Sequence, residues 1–114
     1  MEKSETLKYI GNLSQLGGCR HYTLSEGPAR GMRATDINTG SGLRYTVLPD
    51  RAMDISLASY KGSNLVYLTC NGETNPAFYE PEGIGWLRTF TAGLFTTCGL
   101  TYLGSPCEDE GEQL

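Results

Sequence analysis

The sequence is short of the residues that most often carry chemistry. It holds one histidine, His21, and one tryptophan, Trp86. Its four cysteines, Cys19, Cys70, Cys98 and Cys107, include no pair at C-x-x-C spacing. A zinc site of thiolates and imidazoles is therefore not expected, and no metal is implied. Cys98 has no base near it in sequence, so it is not read as a nucleophile. No glycine-rich phosphate loop and no HExxH pair occurs, which leaves nucleotide and zinc-hydrolase readings without support. No cofactor is implied. No apolar run is long enough to span a bilayer, and no apolar stretch of signal-peptide type follows the opening MEKSETLK. These absences predict a cytoplasmic location with reduced thiols. Positive charge is short as well. Nine basic residues against thirteen acidic ones give −4, so neither nucleic acid nor a membrane is expected as a partner held by bulk electrostatics.

Glycine, by contrast, is abundant. Fifteen glycines beside five prolines point to many tight turns rather than a disordered linker. The N-terminal arm, Met1 to Gly18, spaces Leu7, Ile10, Leu13 and Leu16 at intervals of three, a poor fit to an amphipathic helix. It reads as a short strand or irregular arm with at most one helical turn. From Cys19 the pattern is β. Arg20 to Ser25 and Gly31 to Asn38 are candidate strands, the second closed by the turn sequence Asn38-Thr39-Gly40-Ser41-Gly42. Leu43, Tyr45 and Val47 alternate with Arg44 and Thr46. Met53, Ile55 and Leu57 alternate with Asp54, Ser56 and Ala58. Lys61 to Asn64 predicts a turn, and Leu65 to Cys70 a return strand completing a hairpin. Asn71 to Gly85 is a loop. Trp86 to Thr91 and Leu94 to Leu100 read as two more strands. The acidic cluster Glu108, Asp109, Glu110 and Glu112 reads as a solvated tail or loop. The fold class expected is all-β, an antiparallel β-sandwich with little helix.

Three side chains stand out as candidates for a site. Arg51 lies in the corner PDRAMD. Its guanidinium suits vicinal hydroxyls or a carboxylate, but pairing with Asp50 or Asp54 would make it a structural pin instead. Trp86 and Arg88, two apart in a strand, would share a face. Indole beside a guanidinium suits a sugar, whose apolar ring face packs on the aromatic while its hydroxyls accept from arginine. The alternative is a core tryptophan and an exposed edge arginine. His21 fits a structural role better than a catalytic one.

The runs GLRYTVLPDRAMDI and GWLRTFTAGLFTTCGL, with YKGSNLVYLT between them, resemble the amino-terminal part of the DUF4432 family, a domain of unknown function. The likeness runs from about Tyr9 onward. Ala52 departs from the glycine expected after the motif arginine. That family is related to aldose 1-epimerases of the galactose-mutarotase-like fold. The resemblance implies a twisted β-supersandwich whose concave face binds a monosaccharide. It implies that Arg88 corresponds to a substrate-binding arginine and Arg51 to the family's own motif arginine; with Trp86 these are the residues expected at the substrate. It places the acid–base residues of a mutarotase after Leu114. Residues 1–114 are then expected to be the truncated amino-terminal portion of one domain, with no catalytic residue of its own. Two rivals are a non-catalytic carbohydrate-binding domain and a structural or interaction domain. An incomplete sheet would also expose strand edges, through which self-association is possible.

Overall fold

A computed structural model describes residues 2–97 and 108–113. The protein is mostly β. Five antiparallel strands follow one another as a meander: β1 Gly18–Thr23, β2 Arg33–Asn38, β3 Leu43–Leu48, β4 Asp54–Tyr60 and β5 Ser63–Asn64. A two-stranded ribbon pairs β6 Tyr67–Leu68 with β7 Ala92–Gly93. No barrel is closed among the described residues.

The turns explain the meander. Between β2 and β3 the Asn38 carboxamide oxygen accepts from the Gly40 amide at 3.0 Å, while Gly40 and Gly42 take φ of 81° and 103°. An Asx turn followed by left-handed glycines reverses the chain without strain. Lys61 and Gly62, at φ 48° and 85°, form the two-residue loop of primed type that fits the right-handed twist of β4 and β5.

The apolar core is small. Met32 and Leu48 are fully buried, with Ala29 and Ala34 around them and Leu24 packed against the cluster. Thr46, Asp54, Ser56, Thr74, Thr89 and Thr91 are also buried. All but Thr91, whose hydroxyl has no partner among the described residues, are hydrogen-bonded through their side chains, so cohesion rests on polar groups as well as on apolar contact. β1 is exposed along its whole length, because among the described residues no second layer covers either of its faces.

A bulge in β4 fixes where the ribbon sits. Thr46 faces Leu57 while Val47 faces Ile55, which leaves Ser56 as the extra residue. Gly93 lies against this bulge. A Cβ there would be 2.3 Å from the Ile55 carbonyl oxygen and 2.9 Å from the Ser56 Cα. The chain then pairs with β4 through Leu94 N–H to Ile55 O at 2.9 Å and Ile55 N–H to Phe95 O at 3.3 Å.

Several expectations need correction. Leu65 to Cys70 is not the return strand of a hairpin. The Asn64 side chain donates to the Val66 carbonyl at 2.8 Å and accepts from its amide at 3.1 Å. This turns the chain away from β4 and delivers β6 to β7 instead. Trp86 to Thr91 is not a strand: Gly85–Thr89 forms a 3-10 turn, with Leu87 N–H bonded to Ile84 O. The expected strand at Leu94 to Leu100 is a single bridge, Ile55 to Phe95, and its last three positions lie outside the described residues. In the N-terminal arm the structure forms one short helix, Lys3–Thr6, and a 3-10 turn, Leu13–Gln15. The acidic cluster is a small hairpin, Glu108–Asp109 against Glu112–Gln113, rather than a loop.

Gly93→Ala should lower stability by about 3 kcal/mol, since it forces a Cβ onto backbone atoms at a φ of 118°. Gly62→Asn, also at positive φ but with open space around it, should cost less than about 1 kcal/mol. Urea unfolding of the two variants checks this, and equal losses would contradict it.

Candidate functional site

Among the described residues, two concavities are candidates for a site. The first forms around the corner that carries Arg51. Pro49–Arg51 makes a 3-10 turn, and Ala52 follows at φ 53° and ψ 37°, in the left-handed region. That conformation is the physical reason for expecting glycine here, since a Cβ is disfavoured in it. The Arg51 guanidinium reaches Asp54 Oδ2 from Nε at 3.2 Å and the Thr74 carbonyl from Nη1 at 3.0 Å. The other Asp54 oxygen accepts from the Thr97 amide at 2.7 Å. The Thr97 hydroxyl sits 2.7 Å from the Ala52 carbonyl oxygen and 3.1 Å from Asp54 Oδ1, and can donate to either. Asp54 is 3% exposed, so this is a nearly dry carboxylate with its lone pairs used. A hollow of about 200 Å³ lies beside it, lined by Arg51, Asp54, Pro76, Tyr79, Thr89, Thr96 and Thr97.

Asp50, the other carboxylate considered for Arg51, belongs to Arg33. It accepts from Arg33 Nη2 at 2.7 Å, Nε at 3.0 Å and the backbone amide at 2.9 Å. Side-chain and then backbone hydrogen bonds from Arg33 hold the Asp50 carboxyl below its ordinary range. The pair is open to solvent and adds little stability.

Trp86 and Arg88 do not share a face. At roughly three residues per turn, side chains two apart leave a 3-10 turn in different directions. Arg88 pairs with Glu80 at the surface. Trp86 is 44% exposed and meets Phe90 edge-on, ring centres 5.6 Å apart. Neither lines the Arg51 hollow. The structure thus does not bring the three expected residues into one concavity.

The second concavity is larger, about 550 Å³, and lies on the open face of the five-stranded sheet. Residues directly opposite across a ladder share a face. One row runs Arg20, Asp36, Thr46, Leu57, and the next runs Gly18, Asn38, Arg44, Ser59, Asn64. Ser14, Gln15 and Gly17 close one end. The 3-10 turn that carries them is held by a capping box between Asn12 and Gln15. None of these residues was singled out from sequence. Arg44 and Thr46 are legible as the polar half of an alternating strand, although Thr46 is buried. The same alternation in β1 and β2 would have placed Arg20, Asp36 and Asn38 beside them.

Asp36 is the one carboxylate among the groove-lining residues. Its Oδ1 accepts from the Tyr22 hydroxyl and from the Thr46 hydroxyl, each at 2.7 Å. Partial burial, the bond to Asp36 and the charges of Asp36 and Glu73 push the Tyr22 phenol up to about 12, against a smaller opposing effect of Thr46. Nearby, Glu73 accepts from the buried Ser56 hydroxyl at 2.8 Å. On the other face His21 Nδ1 lies 2.9 Å from the Thr35 hydroxyl, a surface contact that asks no catalytic role of it. Cys19 and Cys70 are free and exposed; Cys98 and Cys107 lie outside the described residues. No described helix is long and apolar enough to cross a membrane.

Residues 29–114 match the family described as a domain of unknown function, DUF4432. The match takes in most of the sequence, and the chain belongs to that family. No curated protein and no solved structure matches it.

The Tyr22 shift has a definite sign. Below pH 10 folded and unfolded chains both keep the phenol proton, and stability does not depend on it. Between pH 10 and about 12 the unfolded chain releases the proton first, so stability falls as pH rises. Absorbance titration of phenolate should show a late step that is absent in Tyr22→Phe. A late step that survives the substitution would contradict the assignment.

Proposed function

We propose that this chain binds a monosaccharide in the groove on the open sheet face, as a member of a family related to aldose 1-epimerases. The observation that supports this reading most is the groove's lining. Two guanidiniums, two carboxamides, a carboxylate and serine and threonine hydroxyls stand on adjacent strands around about 550 Å³. Interleaved donors and acceptors with a patch of apolar floor at Leu57 suit a small polyhydroxylated ring. Guanidinium forks suit vicinal hydroxyls, and Asn38, whose oxygen is held by the Gly40 amide, offers its NH2 group as a donor.

Binding, not turnover, is the activity this site favours. Mutarotation needs one group to take the proton from the anomeric hydroxyl and another to protonate the ring oxygen. Asp36 already accepts two hydroxyl donors on one oxygen. Tyr22, at about 12, holds its proton too tightly to serve as an acid near neutrality. A competing placement keeps the ligand at the Arg51 hollow, with Trp86 and Arg88 as its neighbours. Its smaller volume, and the commitment of Arg51 to Asp54, favour the groove.

The test is amide chemical-shift mapping with glucose and galactose up to roughly 50 mM, the range a small open site calls for. Shifts should centre on Gly18, Asn38, Arg44 and Ser59. Asn38→Ala should weaken binding by about fivefold. Polarimetry should show mutarotation at the buffer rate. Shifts centred on Tyr79, Thr96 and Thr97 would move the ligand to the Arg51 hollow. No shifts with either sugar would end the reading.

A further inference from the structure

The groove gathers positive charge: of the arginines outside it, only Arg30 has no carboxylate partner among the described residues. Among the described residues, Arg33, Arg51 and Arg88 each have a carboxylate partner: Asp50, Asp54 and Glu80. Arg20 and Arg44 form no ion pair, and both line the groove. They come from β1 and β3, on either side of β2, and stand on the same sheet face. Arg20 is directly opposite Asp36 and Arg44 directly opposite Asn38. Asp36 is the natural anion for both, yet its Oδ1 is engaged by the Tyr22 and Thr46 hydroxyls. Those two bonds hold the carboxylate down against the sheet, and neither guanidinium is bonded to it. Two cations thus flank one carboxylate, in a chain whose net charge is −4.

We infer that the groove selects a monosaccharide bearing one anionic group, a carboxylate or a phosphate, over a neutral sugar. This rests on the monosaccharide reading above and adds the charge of the ligand. A guanidinium offers a planar fork that matches either anion, and charge-assisted bonds are about twice as strong as neutral ones. Two such forks facing one anion from β1 and β3, either side of β2, also fix which end of the sugar lies at Asn38. The hydroxyls of the ring then meet Ser59 and Asn64 on the same row.

The experiment titrates the full chain with glucose, glucuronate, glucose 6-phosphate and inorganic phosphate, read by calorimetry and by amide shifts. At low ionic strength at least one of the two anionic sugars should bind about tenfold or more tightly than glucose, an advantage that shrinks as salt is added. Comparing glucuronate with glucose 6-phosphate tells carboxylate from phosphate. Arg20→Gln with Arg44→Gln should abolish the preference, while Arg20→Lys with Arg44→Lys, which keeps the charge, should retain part of it. The lysine pair keeps the test decisive if the glutamine pair folds poorly. Glucose binding as tightly as both anionic sugars, or a preference that survives the glutamine pair in a folded protein, overturns the charge selection and leaves the monosaccharide reading in place. Inorganic phosphate binding in the groove while all three sugars fail overturns the monosaccharide reading, and this inference with it.

Discussion

Asp54 is the buried anion on which the rest of the arrangement depends. It stands at the first residue of β4, where the chain leaves the Arg51 corner. Through one oxygen it neutralises Arg51, and through the other it accepts from the amide of Thr97. Residues far apart in sequence are thereby tied to a single carboxylate. A charge so deeply buried is tolerated only when each of its oxygens is paired. The corner also carries a left-handed Ala52 and Met53, at φ 53° and 69°, a conformation that costs free energy and needs such an anchor. A short way along β4, the Ser56 bulge and Gly93 complete the same junction by backbone contact. The ribbon is positioned by one ion-paired carboxylate and one missing side chain.

This junction leaves the other end of the sheet open. The buried apolar residues gather at Ala29, Met32, Ala34 and Leu48, near the Asp54 corner. Toward β1 the sheet carries arginine, aspartate, asparagine and threonine on its groove face instead. A polar face needs no apolar layer against it, and it can offer its side chains to a small ligand. The Tyr22–Asp36–Thr46 bonds give that face a rigid centre, which is what a site needs if binding is not to be lost in ordering its own groups. The same sheet that is anchored by buried electrostatics at one end carries at the other the groove proposed to hold a small ligand.

Much of the sheet is legible in the sequence, because two signals agree there. Alternation in Leu43 to Val47 and in Ile55 to Leu57, bounded by the Asn38 to Gly42 turn, specifies β3, β4 and their order. That Arg51 pairs with a carboxylate, Asp50 or Asp54, follows from the cost of burying an arginine alone, and it is the structure that gives Asp54 to Arg51 and Asp50 to Arg33. What escapes is decided by single side chains acting on the backbone. Asn64 bends the chain out of a hairpin that its β-prone neighbours would otherwise continue. Gly85, tight against Glu80, starts a 3-10 turn in a run that looks extended by composition. That turn separates Trp86 from Arg88. The groove was missed for a different reason: its residues are spread over five strands, and only the register, set by turns, places Arg20, Asp36 and Arg44 on one face. Membership of the DUF4432 family is shown over residues 29–114, which leaves β1 and its Arg20 outside the matched span.

The claim that Asp54 organises the junction is tested most directly by Asp54→Asn. The amide keeps the shape but removes the charge, leaving Arg51, 13% exposed, without its anion. Chemical unfolding should show a loss of about 2–4 kcal/mol, and hydrogen exchange should show the Thr97 amide released early while the β2–β3 amides stay protected. Unchanged stability, with Thr97 as slow to exchange as in the parent chain, would contradict the account.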